Sequence, residues 1–136
     1  MKHKAQFASL LLLAAMAALT LGCNQQPPPQ PKTADKSLLV GNWVRTDAPY
    51  RIHISELLDD GKMKAGYFNP KPINVGQAGW VNAAGVIQLY IELRDENYPG
   101  SNYKLTYVPE RDMLAGNYFQ AVEGTTFRVE FARAKE

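Results

Sequence analysis

The chain has 136 residues, 46% of them hydrophobic, with a formal net charge of +2 and a single cysteine. That length fits one small domain, and a lone cysteine excludes an internal disulfide framework. The charge excludes the strong basic excess of a nucleic-acid binder.

The first predicted element is a secretory signal. Lys2, His3 and Lys4 precede a stretch from Ala5 to Leu21 in which only Gln6, Ser9 and Thr20 are polar. Its most apolar part, Leu10 to Leu21, is about 12 residues, short of the roughly 20 that cross a bilayer. A basic start, a short apolar middle and a small residue before the cut predict a cleaved segment over residues 1–22. Its removal takes Lys2 and Lys4 away, so 15 basic residues become 13, against 13 acidic ones, and the mature chain is formally neutral. The cut site, Leu19-Thr20-Leu21-Gly22-Cys23, resembles the lipobox of bacterial lipoproteins. The resemblance implies a diacylglycerol on the Cys23 thiol and a further acyl chain on its amine after cleavage. Two or more acyl chains anchor a protein stably, whereas one does so only marginally. Membrane lipid is therefore an expected partner through Cys23. Asn24 follows the cysteine where enteric inner-membrane lipoproteins carry Asp. In a Gram-negative cell this implies attachment to the outer membrane, facing the periplasm.

Residues 23–37 comprise the lipidated cysteine and a linker, with Pro27, Pro28, Pro29 and Pro31 and no large apolar residue. Such a segment buries too little surface to offset its ordering entropy. Proline biases it toward extended polyproline II, with a reach of roughly 40 Å.

Residues 38–136 form the predicted domain. Turn residues recur at intervals that suit short antiparallel strands. Eight strands are expected, over 38–46, 50–58, 62–69, 73–82, 86–94, 103–108, 113–122 and 125–134. Asp59-Asp60-Gly61, Ala83-Ala84-Gly85 and Glu123-Gly124 supply hairpin turns. The exception is a longer loop over residues 95–102. Short connections join antiparallel neighbours, so the fold class is all-β, an eight-stranded antiparallel up-and-down β-barrel closed to remove its edges. Alternation sets the faces. Ile87, Leu89, Ile91 and Leu93 oppose Gln88, Glu92 and Arg94; Tyr103, Leu105 and Tyr107 oppose Lys104 and Thr106; Phe127, Val129 and Phe131 oppose Thr126, Arg128 and Glu130.

Gly41-Asn42-Trp43 opens the first strand. A G-x-W there, in an eight-stranded meander, resembles the lipocalin, avidin and related lipocalin-like families, the calycin group. In that group the Trp plugs one barrel end under an Arg from the last strand. The resemblance implies this role for Trp43 with Arg133, or with Arg128 as second choice. A guanidinium over an indole adds about 0.5–2 kcal/mol. Ala65-Gly66-Tyr67 and Leu114-Ala115-Gly116-Asn117-Tyr118 resemble the group's G-x-Y strand feature.

Chemistry-bearing residues are sparse. His53 has no second His, Cys or carboxylate pair at metal-ligand spacing, so neither metal nor cofactor is expected. Ser37, Ser55 and Ser101 have no evident activating base, and no catalytic residue is nominated. Candidate ligand or barrel-end residues are Trp43, Tyr67, Trp80, Tyr118, Gln120 and Arg133. In the loop over 95–102, Tyr98, Pro99 and the adjoining Tyr103 are candidates for contact with a protein partner. Two readings stand: a lipid-anchored envelope lipoprotein whose barrel binds a small or lipidic molecule, or a protein-binding envelope module, an inhibitor or accessory subunit, acting through barrel loops. An enzyme is not expected.

The anchor is directly testable. Cys23→Ser is expected to leave the chain unprocessed or mislocalised on membrane fractionation, and a wild-type distribution would refute lipidation.

Overall fold

The computed structural model describes residues 35–135. The expected signal segment 1–22, Cys23 and the part of the expected linker over 24–34 lie outside the described residues.

A single 3-10 turn, Lys36–Leu39, leads into the sheet, started by Asp35, whose carboxylate accepts from the Ser37 N–H at 2.9 Å. Nine strands follow: β1 (Gly41–Arg45), β2 (Arg51–Leu57), β3 (Met63–Asn69), β4 (Lys71–Ile73), β5 (Val75–Ala83), β6 (Val86–Asp95), β7 (Tyr98–Val108), β8 (Met113–Gln120) and β9 (Thr125–Arg133). All pair antiparallel in the order β4-β3-β2-β1-β9-β8-β7-β6-β5. The sheet is a nearly closed barrel. First and last strands meet at Trp43↔Arg133. On the other side β4 pairs with β3 while β5 pairs with β6, so one stretch of chain holds both ends of the sheet. A lone bridge, Lys62↔Gly79, and the Trp80 N–H on the Gly61 carbonyl at 2.8 Å draw the remaining edges together.

Three expectations are corrected. The strand count is nine, because the expected fourth strand is broken at Asn74. There the chain leaves β3 for β6, and Asp95 takes both the Asn74 backbone N–H (3.0 Å) and its side-chain amide (2.9 Å). A register shift between Val75 and Gln77 completes the bend. The first strand starts at Gly41, since Leu38 and Leu39 belong to the 3-10 turn. The expected loop over 95–102 is a tight turn at Glu96-Asn97, with Tyr98 and Pro99 already in β7. What reads as a loop is a bulged strand. The register shifts between Glu92 and Arg94, opposite Gly100, whose φ of +93° suits the extra residue of a bulge. Pro99 is tolerated because pairing with β8 has ended by Asn102↔Phe119, leaving that edge free of a ladder bond.

The alternating faces are as expected. Ile87, Leu89, Ile91, Leu93, Tyr103, Leu105 and Tyr107 are buried, as are Val129 and Phe131. Phe127 shares their parity but lies near the barrel mouth and is 41% exposed.

One end is sealed. Trp43 is fully buried and donates its indole N–H to the Leu39 carbonyl at 3.0 Å. The Arg133 guanidinium stands 4.3 Å from the Trp43 ring centroid. It donates to Asp112 at 2.6 and 2.9 Å and to the Val40 carbonyl at 3.3 Å, and it also reaches the Leu38 carbonyl. The hydrogen bond from Arg133 holds the Asp112 carboxyl below its ordinary range. Gly41 passes beneath the guanidinium at φ +137°, and a Cβ there would stand 3.1 Å from the Arg133 Nη1. Trp43→Ala is expected to lower stability by about 3–5 kcal/mol, as for other large-to-alanine core changes. Chemical denaturation measures it, and an unchanged midpoint would show that the plug is dispensable.

Candidate functional site

The opposite end of the barrel is open. Strand alternation puts Arg45, two residues beyond Trp43, on the inward face. Its side chain is only 11% exposed. The guanidinium makes a two-point contact with Asp47, Nε to Oδ1 at 2.6 Å and Nη2 to Oδ2 at 3.1 Å, and lies over the Tyr50 ring at 5.4 Å. Burial works most strongly against the charge of Arg45, but hydrogen bonding and charge attraction from Asp47 and Tyr103 together outweigh it, and its pKa is raised. The hydrogen bond from Arg45 lowers the pKa of Asp47.

Below this pair the interior is aromatic. The Tyr67 and Tyr103 hydroxyls share a hydrogen bond of 3.0 Å, and Tyr103 stacks on Tyr118 at 4.5 Å. Phe131 packs edge-on against Tyr103 at 5.4 Å. Of these rings Tyr67 and Tyr118 line a cup of about 440 Å³, whose wall also includes Arg45, Asp47, Tyr50, Asn69, Tyr98, Gln120 and Phe127. Asn69 donates its amide to the Tyr98 hydroxyl. A volume of this size falls in the usual range for small-molecule sites, roughly 300–1,000 Å³.

The structure divides the nominated residues. Tyr67, Tyr98, Tyr118 and Gln120 line the cup. Tyr103 lies beneath it and is fully buried, so it cannot offer a ring to a partner. Pro99 is exposed on the outer edge of β7. Trp43 and Arg133 stand at the sealed end. Trp80 is also remote from the cup. Its indole N–H bonds the Leu58 carbonyl at 2.8 Å, with the Lys36 ammonium 5.4 Å from its ring. It borders a hollow of about 490 Å³ on the outer wall, beside Gly61, Gly79 and Tyr90. That hollow is slightly larger than the cup, but no charged pair or hydroxyl cluster converges in it. The cup is the better candidate because its polar groups face one volume.

Sequence reasoning missed Arg45, Asp47, Tyr50, Asn69 and Phe127 as site residues. The signal for Arg45 was present, since a strand period of two carries it inward with Trp43. His53 lies on the outer face, its Nδ1 2.8 Å from the Asn42 side-chain oxygen. Among the described residues no group of three or more His, Cys, Asp or Glu is placed to hold a metal.

Comparison with protein-family models, curated proteins and solved structures found no match.

Burial raises the pKa of both Tyr67 and Tyr103. The unfolded chain therefore loses phenolic protons above about pH 10 that the native barrel retains. Stability from this pair is fully present below that pH and declines as pH rises further. In an ultraviolet titration Tyr67 and Tyr103 are expected to stay silent until the barrel unfolds in alkali. Tyr67→Phe should make the alkaline decline shallower, and an identical slope would place the pair outside this linkage.

Proposed function

We propose that the protein is a lipid-anchored envelope lipoprotein whose barrel binds a small molecule in its open mouth. The observation that carries the binding reading is the asymmetry of the barrel. One end is sealed by Trp43 and Arg133, while the other gathers Arg45, Asp47 and a set of tyrosines around a cup of about 440 Å³. Buried polar groups normally find partners. A mouth that concentrates them beside a void suits a ligand with groups of its own. The anchoring part rests on residues 19–23 and on the linker composition.

A small molecule fits better than an acyl chain. Tyr67, Tyr103 and Phe131 occupy the barrel below the cup, where a chain would have to run. The alternative of docking through an aromatic loop has less support, since Tyr103 is buried and Tyr98 is a half-buried part of the cup wall.

Native mass spectrometry of the gently extracted full-length chain is the test. The expected result is a reproducible extra mass that leaves on denaturation and is lost in Phe127→Ala. A bare protein mass in repeated preparations counts against the reading.

A further inference from the structure

The chemistry of the cup narrows the class of ligand. It holds one cation and one carboxylate, Arg45 and Asp47, already joined at 2.6 and 3.1 Å. An anion would have to displace Asp47 or approach beside it, and the Asp47 side chain is 60% exposed. Charge balance therefore disfavours a carboxylate or phosphate ligand. An acyl chain is disfavoured for the opposite reason. It would desolvate Arg45, Asn69 and Gln120 while giving them nothing to bond, at a penalty for each group left unpaired.

What remains has no net charge and many groups that both donate and accept. A guanidinium has five N–H donors, and Asp47 engages two of them. The Asp47 carboxylate has further lone pairs, and the Gln120 and Asn69 amides combine donor and acceptor. Hydroxyls, each one donor and two lone pairs, match that mixture better than any other common neutral group. The same wall offers an aromatic face. Phe127 is 41% exposed and lies nearly parallel to Tyr118, at 6.5 Å and 24°. The C–H side of a sugar ring carries slight positive charge and suits the negative face of an aromatic ring.

We propose that the cup binds a neutral saccharide, a mono- or disaccharide whose hydroxyls meet Arg45, Asp47 and Gln120 while one ring face rests on Phe127. This inference rests on the mouth being a small-molecule site. Recognition is by hydroxyl pattern and ring stacking, with no part for a metal or a charge on the ligand.

The test is saturation-transfer NMR on the full-length chain in a zwitterionic detergent, since a glycoside detergent would itself be a ligand. The saccharide probes are methyl glucoside, N-acetylglucosamine, maltose and lactose. Benzoate, inorganic phosphate and octanoate are the comparison probes. At least one saccharide is expected to receive saturation. Its affinity should fall roughly tenfold, equivalent to about 1.4 kcal/mol, in Phe127→Ala and again in Gln120→Ala. Both positions are only partly buried, and a thermal melt of each variant checks that the barrel is intact. Saccharides silent while benzoate, phosphate or octanoate binds in a Phe127-dependent way would overturn the saccharide proposal and leave the small-molecule mouth standing. A saccharide signal unchanged in both folded variants would place binding elsewhere and overturn it too. Silence from every saccharide also rejects it, and the mass retained in the native spectrum then judges the broader reading separately.

Discussion

The contact between Arg133 and Trp43 is the constraint on which the barrel depends. Trp43 lies in the first strand and Arg133 in the last, and the two are register partners as well as stacked groups. Their pairing joins the β1–β4 half of the sheet to the β5–β9 half, so that the two ends, β4 and β5, come together around Asn74. The guanidinium does more than cover the indole. It reaches Asp112 in the turn between β7 and β8 and carbonyls before β1, so one side chain ties three parts of the chain to the plug. Losing the ring would leave a cavity and also free a cation now stacked over an aromatic face.

Sealing one end decides what the other can be. With Trp43, Leu39 and Leu114 filling the closed half, the open space inside the barrel lies at the mouth. There the barrel gives up hydrophobic stabilisation for a polar lining. Burying a guanidinium and phenols is unfavourable unless each finds a partner. The Arg45–Asp47 pair and the Tyr67–Tyr103 bond meet that demand. No buried side-chain polar atom among the described residues lacks a partner. The mouth is thus organised without a ligand, which reduces the ordering that binding would otherwise require.

Much of this architecture was legible in the sequence, for a physical reason. Strand periodicity is local, so Ile87 to Leu93 and Tyr103 to Tyr107 reveal their faces without knowledge of any neighbour. The hairpin turns are local as well. The break at Asn74 was not legible, because it depends on Asp95, 21 residues away in sequence. Pro99-Gly100 misled because residues that favour turns also suit a bulge at a partly paired strand edge. In the site, Tyr67, Tyr118 and Gln120 were found from face and motif. Arg45 and Asp47 were not, since charged residues usually face water and only their mutual pairing makes the inward position tolerable.

The pattern of pairing also orders events in time. Most neighbours in the sheet are neighbours in the chain, so hairpins form across short loops with little entropy to overcome. The junction of β1 with β9 is different, with the Arg133–Val40 bond spanning 93 residues. A growing chain can assemble a curved, open sheet early, but it cannot become a barrel until its final strand is available. Until then both the first strand and the ring of Trp43 lack their partner, and the chain keeps an adhesive edge. β9 thus acts as the clasp of the fold, and β1 is fastened only once β9 has arrived.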